Sequence, residues 1–448
     1  GLADAQLSAS YDLRIFDIPT SKNPQEIAHE IFEYRPDVVA YTVYVWNYQL
    51  CKESSELLKK WLPKLRIILG GPQVEYDAEE NLEENPQADV IVMGSGESRF
   101  VQILKDNFEP EKLSQIPRVA YRDSEGLIVN TGGTFKEDIT KIPSPYQSDA
   151  VVDLNDGKGH TILVETYRGC PFTCNYCIWG DLETKLDLFP IEQILKDIEI
   201  IYSNPNIKTV VFADACLFYT RERAKIIIDK IAEGIYKIPT FLSLDILIVN
   251  EEMIEYLKKV PIYENSYNFG LQSTNPLTLE LSGRKSQQST FEKKIALIKE
   301  MSPTAELSFD LLYGLPGDNL ESFRETINFG LNLSSRKLYF SNLILLPGTD
   351  YWDKREEFGF KYGQLIPHVV ASNNTYSKDD MEKSRELVIW VLHLLYFPAI
   401  RDMIYEMTET NPKLKRIDLL EEYREIMERQ VNPIAGIDLN LLSVEGNN

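Results

Sequence analysis

Between residues 11 and 97 the chain switches repeatedly between short, nearly unbroken apolar runs and longer stretches whose apolar residues recur at helical spacing. Residues 11–18 (YDLRIFDI), 36–45 (PDVVAYTVYV), 65–71 (LRIILGG) and 88–97 (ADVIVMGSGE) predict strands, while 24–35 and 47–61 predict helices. Apolar strands alternating with helices imply a parallel sheet covered on both faces, a doubly wound, Rossmann-like arrangement. Such a domain ordinarily opens with a core strand before its first helix. This sequence opens with GLADAQLSAS, which reads as that helix, so the first strand is expected to be missing from it. Ligands of such sheets sit beyond the carboxyl ends of the strands. The sequence puts there the corner Trp46-Asn47, the turn Gly70-Gly71-Pro72 and the segment Gly94-Ser95-Gly96-Glu97. Glycine at such places lets backbone come close to a ligand. Taken singly, each is more simply a strand-to-helix turn.

The rhythm breaks between 105 and 157, where turn residues (SEGLIVNTGGT, PSPYQ) predict a linker carrying a hairpin. From residue 160 the alternation resumes. Candidate strands are 161–169, 207–214, 240–248, 265–273, 305–317 and 337–349, with helical stretches between them. Six βα repeats predict a partial TIM-type barrel, short of the usual eight. After residue 360 the pattern is helical and reads as a separate C-terminal element. The expected organisation is 1–125 Rossmann-like domain, 126–157 linker, 158–360 barrel and 361–448 helical region.

Composition narrows the function classes. The chain has 448 residues and a formal charge of −22, which disfavours nucleic acid and anionic membranes as partners in the absence of a basic patch. No apolar run approaches a bilayer span, and the opening residues lack a signal peptide's pattern, so a cytoplasmic location is expected. Five cysteines in a chain this long make no disulfide framework, and three of them fall within residues 170–177.

Those three form Arg168-Gly169-Cys170-Pro-Phe-Thr-Cys174-Asn-Tyr176-Cys177, a C-x3-C-x2-C spacing directly after a predicted strand. Three thiolates on one loop can hold three corners of a 4Fe-4S cubane, leaving the fourth iron open to a non-protein ligand. A structural zinc site would lack its fourth ligand. The segment, at the first strand of a six-fold βα repeat, resembles the signature of the radical S-adenosylmethionine superfamily. The resemblance implies that Cys170, Cys174 and Cys177 ligate the cluster and that the open iron binds the amino and carboxylate groups of S-adenosylmethionine. One electron then cleaves the sulfonium to a 5′-deoxyadenosyl radical.

Further landmarks follow the same order. Tyr176 resembles the position whose backbone meets the adenine, and Asp214 the region near the cofactor's methionine end. Gln272 and Ser273 resemble fourth-strand residues pointing toward the cofactor, and Arg284 a guanidinium gripping its carboxylate. Gly314 and Pro316, in GLPG, resemble the turn against the adenine. Upstream, Tyr44, Trp46, Asn47, Gly70, Gly71, Pro72, Gly94, Ser95, Gly96 and Glu97 resemble the cobalamin-binding domain of cobalamin-dependent members. The chain has no D-x-H-x-x-G segment, so no histidine of this domain is expected to ligate cobalt. Its lower face is then vacant, water-bound or covered from the region 44–47.

The resemblance implies a methyltransferase. A radical abstracts hydrogen from an unactivated carbon of a peptide or small natural product, methylcobalamin supplies the methyl group, and flavodoxin or ferredoxin supplies the electron. Methyl transfer to phosphorus or by a polar route stays open. One alternative keeps the cofactors without methyl transfer (cyclisation, ring contraction or epimerisation). Others are a tRNA-modifying enzyme, disfavoured by the acidic charge, and a non-enzymatic corrinoid carrier. Cys216, near a barrel strand's carboxyl end, is the candidate catalytic hydrogen-atom donor, against the stronger reading of a small buried residue. Cys51 and His393 read as packing, and the acidic stretch 79–84 as a solvated face.

Overall fold

The computed structural model describes residues 2–147, 154, 157–179, 185–333 and 337–430, except the side chains of 428–430. Its first unit is a five-stranded sheet. Strands β1 (Val38–Thr42), β2 (Arg66–Gly70) and β3 (Val90–Val92) are parallel, and β4 (Val119–Arg122) and β5 (Ile128–Asn130) extend the sheet antiparallel, in the order β1-β2-β3-β4-β5. Successive residues of a strand point to opposite faces, and both faces here are covered. Ile67, Leu69 and Ile91 pack with Ile27, Ile31 and Leu58 from the helices Pro24–Tyr34 and Tyr48–Trp61. Ile68, Val90 and Val92 pack with Leu7, Val101 and Leu104 from the helices Leu2–Leu7 and Glu97–Lys105.

Two expectations are corrected here. Residues 11–18 enter no ladder. A strand is held by a neighbour's hydrogen bonds, and β1 is the edge of the described sheet with no strand beyond it. The segment instead lies extended, with Tyr11 and Leu13 against one core and Phe16 and Ile18 against the other. The hairpin expected in a linker does form, but as β4 and β5, so the first unit runs past residue 125.

The second unit begins at β6 (His160–Val164), followed by a two-residue ladder between β7 (Tyr167–Arg168) and β8 (Asp187–Leu188). β9 (Ile207–Phe212) pairs in parallel with β6 and with β10 (Thr240–Phe241). β11 (Ser266–Gln272), β12 (Glu306–Tyr313) and β13 (Lys337–Asn342) form a second parallel set, and a bridge between Leu244 and Phe269 joins the two. Six parallel strands thus curve in chain order, with no ladder between β6 and β13 among the described residues. This is the expected partial barrel. The third strand is shorter than its apolar run predicts, because Asp245 interrupts it. Its Oδ1 accepts from the Leu247 N–H at 2.9 Å and caps a 3-10 turn at Ile246–Ile248.

The C-terminal region is not a separate element. It opens with an antiparallel pair, β14 (Lys361–Tyr362) and β15 (Val370–Ser372), before the helices Lys378–Tyr396, Pro398–Thr410 and Arg416–Gln430. Met381, Leu387, Val391, Leu394, Ile404 and Leu420 belong to the same buried cluster as the barrel's own core. No single helix among the described residues is long and apolar enough to cross a membrane.

Candidate active site

The cysteine loop leaves the barrel at the carboxyl end of β6. Gly169 (φ 95°) turns the chain, and Cys170, Cys174 and Cys177 follow as half-buried thiols in no disulfide. The loop is fixed through its backbone. Cys177 N–H donates to the Cys174 carbonyl at 2.9 Å, and Asn175 N–H to the Ser282 carbonyl at 3.2 Å. Asn175 Nδ2 donates to the Leu281 carbonyl at 2.9 Å, and Tyr351 N–H to the Asn175 carbonyl at 3.0 Å. The turn after β11 comes so close that a Cβ on Gly283 (φ +68°) would lie 2.7 Å from the Thr173 carbonyl. Only glycine fits there.

Arg284 follows at once. One guanidinium nitrogen donates to the Gly270 carbonyl, and Nη1 stands 3.9 Å from Cys174 Sγ. Burial works against its charge, while Tyr176, the Cys174 thiol and Asp245 favour it, and the net pKa direction is up. Gln272 ends β11 at a bulge in the left-handed region (φ 64°), next to Gly270 and Arg284. Backbone strain of this kind concentrates at functional sites. The Cys170 thiol is pushed up first by burial. Among the described residues no three His, Cys, Asp or Glu side chains gather to hold one metal ion. A cubane asks for something else, one thiolate per iron, and three thiols on one loop, none of them in a disulfide, fit that donor set.

Other predicted residues lie elsewhere. Asp214 is 2% exposed, and its carboxylate accepts from Thr166 N–H (2.8 Å), Thr166 Oγ1 (2.7 Å) and Tyr167 N–H (3.2 Å). It holds the exit of β6 and is closed to a cofactor, and burial pushes its pKa up to about 6. Ser273 is buried too. Its hydroxyl donates to Asp318 at 3.1 Å and accepts from Asn275 N–H, so it anchors a turn rather than facing a ligand. Cys216 is fully buried, and Tyr167 Oη contacts both its backbone groups. Desolvation raises its thiol to about 12. A thiol sealed in the core does not meet a substrate radical, which removes it as the hydrogen donor. Gly314 (φ 87°) faces Met381 and gives its carbonyl to Asn373, so the GLPG turn with Pro316 rests on the C-terminal region. Tyr176 packs its ring 6.4 Å from Tyr351.

Reading the sequence missed Asp310. It sits on β12 at an inward, half-buried position among buried apolar neighbours, with burial pushing its carboxyl up to about 6 against Asn268 and Arg284, which favour the charge. A lone acid in the apolar run SFDLLY was the available signal.

In the first unit, Tyr44 and Trp46 stack at 4.5 Å with an 8° interplanar angle, and Trp46 is 66% exposed. Glu165 of the barrel is near enough to raise the Tyr44 pKa, second to burial. Asn47 spends its side chain on the corner itself, accepting from Tyr44 N–H at 2.7 Å and donating to the Thr42 carbonyl at 3.0 Å. Gly71 (φ +108°) lies so close to Val43 that a Cβ would sit 2.6 Å from its carbonyl, so the Gly70-Gly71-Pro72 turn is tied to its own sheet. Ser95 and Glu97 turn toward the cysteine loop: Arg168 Nη2 donates to Glu97 Oε1 at 2.6 Å, and Nη1 to Ser95 Oγ at 3.3 Å. A flat exposed aromatic face beside glycine turns fits a planar macrocycle. The side chains of Asn47, Ser95 and Glu97 are already engaged.

Comparison with known proteins agrees with this layout. Residues 164–330 match the radical SAM superfamily and residues 2–104 the B12 binding domain. The chain is 24% identical over 348 residues to the uncharacterised methyltransferase PH0819 of Pyrococcus horikoshii, covering 77% of this chain and 74% of that one. It is 25% identical over 404 residues to the cobalamin-dependent radical SAM methyltransferase TokK of Streptomyces tokunonensis, covering 86% of this chain but 58% of that one. Among solved structures, the radical S-adenosylmethionine methyltransferase TsrM of Kitasatospora setae superposes with a TM-score of 0.65 at 16% identity, over 81% of this chain and 75% of that one. The cobalamin-dependent radical enzyme OxsB with aqua-cobalamin gives 0.61 at 17% identity, over 89% and 66%. At such identities the structural likeness speaks for the fold alone. The two matches follow one another in chain order around the cysteine loop, so a B12 binding domain and a radical SAM domain are both present, the first ahead of the barrel and the second containing Cys170, Cys174 and Cys177.

Proposed function

We propose that the protein is a cobalamin-dependent radical S-adenosylmethionine methyltransferase acting on an unactivated carbon of a peptide or small natural product. The observation that carries this reading is the loop of three thiols, in no disulfide, at the barrel mouth, joined through Arg168 to the loop 94–97 of the first unit. The two domain matches imply a 4Fe-4S cluster, S-adenosylmethionine and cobalamin, and the relatives named as methyltransferases favour methyl transfer over the other radical outcomes.

Cys170, Cys174 and Cys177 are the cluster ligands in this reading. When bound, the cluster supplies the electron that cleaves S-adenosylmethionine to a 5′-deoxyadenosyl radical, and methylcobalamin supplies the methyl group. The chain's own work is positioning and exclusion of water. Arg284 offers a half-buried cation to the carboxylate of S-adenosylmethionine, in geometry suited to a bidentate pair. Gln272 and Asp310 offer an amide and a carboxyl on the same inward face, and the turn Gly314–Pro316 with Tyr176 walls the adenine side. Tyr44 and Trp46 offer an aromatic platform to the corrinoid, and the backbones of Gly70, Gly71, Pro72, Gly94 and Gly96 border it. A flavodoxin- or ferredoxin-type protein is the electron donor.

The test is product analysis. Anaerobically reconstituted protein with cobalamin and candidate peptides should release 5′-deoxyadenosine and S-adenosylhomocysteine together with a methylated product. Release of 5′-deoxyadenosine without S-adenosylhomocysteine would instead indicate radical chemistry without methyl transfer.

A further inference from the structure

Arg168 has no assigned part in the chemistry above beyond joining the two loops, and its guanidinium bonds on both sides of that join. It stands two residues before Cys170. Nε donates to Glu165 Oε1 and Oε2 at 3.1 and 3.2 Å, and Nη2 to Glu165 Oε2 at 3.1 Å. The same guanidinium crosses to the first unit through Glu97 (2.6 Å) and Ser95 (3.3 Å), and lies 5.5 Å from the Phe189 ring. Exposures of 24% for Arg168 and 28% for Glu97 put the pair partly out of water, where such bonds gain strength. Glu97 opens the helix Glu97–Lys105, and its second oxygen, Oε2, is buried without a partner. Losing Arg168 would therefore leave the half-buried Glu97 carboxylate without its guanidinium hydrogen bond, with the Arg99 charge still near it.

We propose that Arg168 is a positioning residue that locks the loop 94–97 to the cysteine loop, so that the two cofactor-binding loops hold one fixed separation. The functional part of this inference rests on the reading of the preceding section. Because the radical and the methyl donor must act on one substrate carbon, a loosened separation spoils their coupling before it spoils either cofactor site. A displacement near 1 Å at a reacting centre is worth about a hundredfold in rate.

The variants are Arg168→Ala, Arg168→Lys, Glu97→Gln and the charge swap Arg168→Glu with Glu97→Arg. In protein without added cofactors, amide exchange of residues 94–105 should rise about tenfold in Arg168→Ala and Glu97→Gln, as expected for loss of a charge-assisted contact, with the barrel strands unchanged. Arg168→Lys keeps the charge without the fork and should fall between, and the swap should recover part of the protection. After reconstitution, iron content should hold while the ratio of 5′-deoxyadenosine to S-adenosylhomocysteine rises at least about fivefold, as for a reacting group held less closely. Unchanged exchange in 94–105 overturns the latch, whatever the wild-type protein binds. Raised exchange with an unchanged product ratio makes Arg168 ordinary packing and overturns the proposal as well. A wild-type protein that takes up no cobalamin sinks the preceding section's reading instead, and the exchange measurement then decides the latch by itself.

Discussion

The cysteine loop and the loops at the carboxyl ends of β1, β2 and β3 face each other, and they are built on opposite plans. In the cysteine loop backbone groups and the amide of Asn175 do the holding, against the Leu281 and Ser282 carbonyls and the close approach at Gly283, and the three thiols enter no disulfide. In the first unit the polar side chains do the holding, since Asn47 ties its own corner and Ser95 and Glu97 tie the barrel. What remains open there is aromatic surface and glycine backbone. The difference teaches that a loop proposed to carry a metal cluster keeps its thiols, rather than all its side chains, out of the scaffold. A site for a large planar cofactor can spend its polar side chains on architecture and bind by shape.

Four experiments press on that contrast. The largest effect should come from Cys170→Ala, Cys174→Ala and Cys177→Ala, each removing a proposed cluster ligand. Iron content and 5′-deoxyadenosine release should fall to background, a loss of about a thousandfold or more. Next is Gly348→Val, at a further contact between the units, against Tyr76. A Cβ there would lie 2.2 Å from the Tyr76 ring, at φ +86°. Denaturant unfolding should show about 2–5 kcal/mol of destabilisation, from overpacking and backbone strain together. Adding Tyr76→Ala should recover the overpacking share only.

Asp214 gives a smaller effect with a definite sign. Its folded pKa of about 6 stands above the ordinary aspartate value of 3.8, so the folded chain binds this proton more tightly. The stability it contributes is therefore greatest at low pH and is lost as pH rises through about 4 to 6, by up to about 3 kcal/mol. Asp214→Asn should flatten that part of a stability–pH curve for the cofactor-free protein. A wild-type loss of stability on acidification that Asp214→Asn removes would mean that the folded pKa lies below 3.8 instead. Trp46→Ala should do least to the fold, within about 0.5 kcal/mol, because an exposed ring packs little. Equilibrium titration should nevertheless show weaker cobalamin binding. A variant that binds cobalamin as wild type would show that the aromatic platform does not serve the corrinoid.

The legibility of the sequence followed the range of the interaction. Helix-by-strand alternation marked both sheets, because burial on two faces needs unbroken apolar strands. It failed at residues 11–18, whose apolar alternation is real but whose ladder needs a neighbour that lies outside the segment. It overran at 240–248, where Asp245 turns into a cap. The C-terminal helices looked independent because a helix's apolar stripe does not name its partner. In the fold that partner is the barrel's own core.

By itself the sequence determined the candidate ligand set, since C-x3-C-x2-C is a property of consecutive residues and needs no folding to be counted. It also determined the six βα repeats and the doubly wound unit before them. Only the tertiary structure decided which polar residues stay open. It closed Asp214, Ser273 and Cys216 inside the protein, brought Asp310 to the inward face beside Arg284, and turned Ser95 and Glu97 toward Arg168. A buried polar group must find its hydrogen bonds wherever the chain brings a partner. Those partners lie 45 to 73 residues apart in the pairs Ser273–Asp318, Thr166–Asp214 and Ser95–Arg168, separations that no local pattern encodes.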